Sequence, residues 1–168
     1  TALGENAAIQ QVVASGRINT AQVYYNLIHP SAGLAPDHGA VPGADFRGLI
    51  ACCREHDVGI MNIRIFAAGY LATSVRHGRE SILTKNTEAD EEERKAEFLF
   101  RELGGEHGTR AQTAVRFALS NPDVSCAVVG IGEVSHMDEA VAAAGMGALP
   151  APALDRLAAL YETDFGRV

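Results

Sequence analysis

Val124-Ser125-Cys126-Ala127-Val128-Val129-Gly130-Ile131-Gly132-Glu133-Val134-Ser135-His136-Met137-Asp138-Glu139 passes from apolar run to glycine turn to helical pattern without a break. The β-branched run reads as a buried strand. It stops at Gly130 and Gly132, where the backbone can turn sharply and approach a ligand closely. Ser135 stands where a helix N-cap belongs, and Asp138 completes a capping-box-like pair. Unpaired N–H groups and the helix dipole at such a corner both favour an anion. The corner therefore reads as a phosphate- or dinucleotide-binding turn of an α/β protein. A plain strand-to-helix connection has the same pattern.

Two more strands are expected upstream, at 20–25 (TAQVYY) and 58–66 (VGIMNIRIF), the latter with the loose alternation of a strand covered on both faces. Helical patterns flank all three. Residues 6–14 place Ile9, Val12 and Val13 on one face. Phe46, Leu49, Ile50 and Cys53 recur at helical spacing. Residues 91–103 are charged at the start and apolar at Phe98, Leu99 and Leu103, and the acidic run 88–93 reads as a solvated helix start. A further helix over 109–120 is stopped by Asn121-Pro122. Two more follow at 135–144 and 152–161.

Strands alternating with helices imply βαβ units and a parallel sheet. The loops after each strand, at 26–45, 67–90 and 130–134, then share the end where ligands bind. Three parallel strands alone leave two open edges and unpartnered helix surface. The chain is therefore expected to join a second copy or the rest of a larger sheet. Its opening on Thr1 rather than Met points to a piece of a longer protein.

Composition narrows the partners. The 168 residues suffice for one domain with a substantial core. A net charge of −7 argues against nucleic acid. No apolar stretch approaches the ~20 residues needed to span a membrane. The N-terminus has no basic-then-apolar signal pattern. Three cysteines, two of them adjacent, suit a reducing, cytoplasmic setting.

Several side chains could carry chemistry. Gln22 lies mid-strand, where its amide either binds a ligand or ties strand to strand. Arg64 is a cation in an apolar strand and must pair with a carboxylate or face a ligand. Of Tyr24 and Tyr25, alternation turns one toward the core. His29, before Pro30, reads as either a functional imidazole or, as loop histidines usually are, a surface residue. Glu133 on the glycine turn disfavours an extra phosphate, so a dinucleotide without a 2′-phosphate is easier to accommodate unless His136 is protonated. The GxGxxG, GxxxxGK, HExxH and GxSxG motifs do not occur.

Four segments together resemble the second half of an aldo-keto reductase. They are 1–4 (TALG), 16–27 (GRINTAQVYYNL) with Pro30, 63–71 (IRIFAAGYL), and 112–119 with Asn121-Pro122 leading into 128–139. The resemblance implies a (β/α)8 TIM barrel of which this single domain is roughly the C-terminal half, parallel strands 6 to 8 with their helices. It implies an NADP or NAD cofactor and hydride transfer to or from a carbonyl or sugar, closest to the aldose-dehydrogenase branch. Carried over by position, Thr1 and Gln22 would hold the nicotinamide carboxamide. Arg64 would stand where many members stack an aromatic ring. Ile65, Ala67 and Gly69 would lie along the pyrophosphate, and Gly130, Ile131 and Gly132 at the adenosine diphosphate end. His136 would replace the usual arginine near the 2′-phosphate, and Ala140 the asparagine near the adenine. The family's catalytic residues belong to the first four strands, so no catalytic residue and no metal ligand is assigned here. The N-terminal half of the same barrel, or a homo-oligomer partner, would complete the site. A non-catalytic nucleotide- or phosphate-binding module is the alternative, and a different barrel that binds a phosphosugar is a third reading.

Overall fold

The computed structural model describes residues 4–39, 43–76, 78, 80 and 88–167. Among these, β1 (Thr20–Tyr24), β2 (Gly59–Ile63) and β3 (Val124–Ala127) form one parallel sheet in the order β1-β2-β3. Gln22 pairs with Met61 and Val23 with Asn62, and Met61 and Asn62 pair in turn with Cys126 and Ala127. The helices are α1 (Asn6–Ala14), α2 (Leu49–Glu55), α3 (Ala89–Leu103), α4 (Arg110–Leu119), α5 (Val134–Met146) and α6 (Ala151–Glu162).

The expected elements are present with shifted ends. α2 begins after Phe46, at Leu49, with Gly48 as its N-cap, whose φ of 76° suits glycine. A Cβ there would sit 2.8 Å from the Pro36 ring. α4 starts with a capping box, in which Thr109 Oγ1 accepts from the Gln112 N–H and the Gln112 side chain accepts from the Thr109 N–H. Ser135 does not cap α5: the helix starts earlier, with Glu133 at the N-cap and no side-chain bond.

The described residues cover only one face of the sheet, which corrects the expectation for β2. Val23, Ile60 and Asn62 are fully buried against the helices, whereas Thr20, Gln22 and Cys126 on the other face are exposed. Gln22, mid-strand in a run that reads as buried, is exposed instead, because no described residue covers its side of β1. Alternation also fails for the tyrosines, since Tyr24 and Tyr25 are both buried. Tyr25 stacks on Phe117 of α4 with ring centroids 4.8 Å apart, and Tyr24 lies under His29 and Phe46 of the following loop.

α3 is not simply a solvated helix. Its acidic first turn suits the dipole, but Glu92 is buried against His29, which corrects both surface readings. Beside it, Glu91 accepts from Arg94 Nε at 3.0 Å and Nη2 at 2.9 Å. That pairing holds the Glu91 carboxyl below its ordinary value of 4.5, with Lys95 and Arg167 adding to it against the opposing cost of burial. A folded-state value below the unfolded one stabilises above pH 4.5 and is lost as pH falls below it. Urea unfolding at a series of pH values is expected to show Glu91→Gln with a shallower acid loss than the parent. Equal slopes would refute this role.

Candidate functional site

The C-terminal ends of β2 and β3 open into one cavity. β2 stops short of its predicted end because Arg64 adopts a left-handed φ of 62°. Ala67 and Ala68, at 45° and 58°, and Gly69, at 108°, follow in the same region. Non-glycine residues held there cost about 1–3 kcal/mol each and concentrate where ligands bind. The buried Asn26 supports this turn: its Nδ2 donates to the Arg64 carbonyl at 2.8 Å. Its Oδ1 accepts from the Ile28 N–H at 3.1 Å and the His29 N–H at 2.9 Å. On the other side, the Val128 N–H donates to the Asn62 carbonyl at 2.9 Å, which ties the glycine turn to β2.

The cavity between the two turns measures about 630 Å³, within the ~300–1,000 Å³ usual for small-molecule sites. Arg64, Ala67, Ala68 and Gly69 line one wall and Gly130 and Gly132 another. Ala111 and Val115 of α4 and His136, Glu139 and Ala140 of α5 complete it. Small side chains let a ligand lie against the backbone, and a Cβ at Gly130 would meet no atom within 4 Å.

Its ionisable side chains are Arg64, His136 and Glu139. Thr109 Oγ1 donates to the Glu139 carboxylate at 2.5 Å, and His136 Nδ1 accepts from the Gly132 N–H at 3.4 Å. The Arg64 guanidinium lies over the Tyr24 ring, 5.9 Å from its centroid. Its buried Nε has no hydrogen-bond partner among the described residues.

The Aldo/keto reductase family pattern matches residues 11–162. The chain belongs to the aldo-keto reductase family. Two solved structures share its fold, both of aldo-keto reductase AKR11C1 from Bacillus halodurans. The holo form gives a TM-score of 0.67 at 16% identity, covering 94% of this chain and 47% of that one. The apo form gives 0.64 at 18% identity, covering 94% and 48%. The chain thus spans about half the length of these relatives. No curated protein matches it significantly.

Aldo-keto reductases are generally NAD(P)-dependent oxidoreductases. The residues present fit such a group: the cavity is large enough, its walls are small, and a buried Arg64 Nε inside it is unsatisfied among the described residues. Of the residues singled out from the sequence, Arg64, Ile65, Ala67, Gly69, Gly130, Gly132 and His136 do line this one cavity. Ile131 adjoins it on the glycine turn without lining it, and Gln22 stands apart on the open sheet face. Thr1, residues 40–42 of the first long loop and 81–87 of the second lie outside the described residues. Sequence reasoning missed Glu139, although it falls one helical turn after His136 and so on the same face.

Proposed function

We propose that this chain supplies the cofactor-holding part of an NAD(P)-dependent oxidoreductase, corresponding to strands 6 to 8 of a (β/α)8 barrel. The cavity at the shared C-terminal end of β2 and β3 carries this reading, because that is where barrel enzymes hold their ligands. The bare face bearing Thr20, Gln22 and Cys126 supports it, being the side that would turn toward the barrel interior. When bound, the nicotinamide dinucleotide supplies the hydride for a small carbonyl or aldose-like substrate. Gln22 orients the carboxamide, Arg64 stands beside the nicotinamide, and the 67–69 and 130–132 turns receive the diphosphate. The proton donor comes from the N-terminal half of the same barrel, or from a second copy. The protein works in the cytoplasm, without nucleic acid or membrane.

His136 and Glu139 are the ionisable groups that α5 brings to the cavity, and Glu133 occupies that helix's N-cap position. A 2′-phosphate there meets carboxylates rather than a lysine or arginine, so NAD is accepted as well as NADP. In the complete protein, calorimetry with NADH and NADPH tests both points. Gln22→Ala is expected to weaken dinucleotide binding by ~1–3 kcal/mol, the cost of an unpaired polar group. Unchanged affinity would remove Gln22 from the site. A preference for NADPH of more than about a thousandfold, ~4 kcal/mol, would overturn the charge argument. A protein that binds the dinucleotide yet reduces no carbonyl would be the non-catalytic module instead.

A further inference from the structure

The partly buried cations of this fold follow a rule that Arg64 breaks. Arg76 pairs with Glu93, Arg94 with Glu91 and Arg110 with Glu97, while Arg116 donates to the carbonyls of His107, Gly147 and Ala148. The Arg64 guanidinium makes no hydrogen bond or ion pair with any described residue, although its Nε is buried. A guanidinium carries its donors around the edge of a plane. The guanidinium carbon lies over the Tyr24 ring, 5.9 Å from its centroid, and the Nε edge remains unsatisfied among the described residues. The left-handed backbone and its bond from Asn26 place this side chain at the cavity wall rather than in solvent. A buried, unpaired Nε on a permanent cation is costly unless an anion completes it.

We propose that Arg64 is an oxyanion-binding residue, its guanidinium edge seating a carboxylate or phosphate of the bound ligand. Two sources offer that chemistry: a carboxylate on the carbonyl substrate and the diphosphate of the dinucleotide. The inference rests on the cavity assigned under the proposed function but makes a separate claim, since a neutral dinucleotide end and a neutral carbonyl would leave Arg64 idle.

The test uses the complete protein, its Arg64→Gln and Arg64→Lys variants, and four probes in calorimetry: inorganic pyrophosphate, NADH, 4-carboxybenzaldehyde and, as its neutral counterpart, benzaldehyde. The proposal expects Arg64→Gln to weaken one anionic probe by about tenfold or more, with Arg64→Lys recovering part of the loss because it keeps the charge without the fork. Benzaldehyde binding is expected to stay the same. Weaker pyrophosphate and NADH binding assigns the diphosphate as the source. Weaker 4-carboxybenzaldehyde binding with unchanged pyrophosphate assigns the substrate carboxylate, hence oxo-acid or sugar-acid substrates. If NADH fails to bind the parent but an anion still binds through Arg64, the oxidoreductase reading falls and this one stands. If NADH binds and no anion depends on Arg64 while the variants keep the parent melting temperature, this proposal is overturned.

Discussion

Glu92→Ala is expected to destabilise the chain by about 3–5 kcal/mol, the usual cost of removing one member of a buried pair. His29 Nε2 and Glu92 Oε1 are 2.5 Å apart, and both residues are nearly inaccessible, at 5% and 2%. The pair joins the loop after β1 to α3, and the His29 ring also packs against Tyr24. Without the carboxylate, the imidazole keeps its burial and loses its partner. Replacing both with leucine is expected to recover most of the loss, since an apolar pair leaves no orphaned group. Urea denaturation of the parent, the single variant and the double variant measures the difference. A single-variant loss below about 1 kcal/mol would show that water relaxes into the site and the pair contributes little.

The second large effect concerns the cavity itself. Gly130→Phe is expected to leave the melting temperature close to that of the parent, because a Cβ there meets no atom within 4 Å. Dinucleotide affinity is expected to fall by about 100-fold, roughly 3 kcal/mol, as the ring occupies space along the diphosphate path. Full affinity in a folded Gly130→Phe protein would place the dinucleotide elsewhere. A protein that unfolds would instead show that the glycine turn has no room for a side chain.

Much of this was readable from local pattern. The β-branched runs around Val23, Ile60 and Cys126 mark the strands, because a parallel sheet needs apolar runs and crossover helices. The Gly130–Gly132 break and the 67–69 small-residue turn likewise mark both cavity walls. Their union was not readable from either turn alone, since it depends on β2 and β3 being neighbours. Helix starts were less legible. Ser135 has the right chemistry for an N-cap, yet backbone geometry puts Glu133 there. A cap is chosen by where the chain leaves the sheet, and propensity only biases that choice.

Burial was the least legible property. His29 and the acidic start of α3 look like solvent-facing residues, and only the fold brings His29 against Glu92, 63 positions along the chain. Gln22 looks buried by its neighbours in sequence and is bare, because accessibility depends on what packs over a strand and not on the strand itself. Periodicity and composition thus determined the element types, their order and the glycine turns, all of which are short-range consequences of backbone sterics and apolar spacing. The pairing of distant charges, the unsatisfied edge of Arg64 and the open sheet face were decided by tertiary structure alone, because burial and Coulomb energy depend on distances that the linear order does not contain.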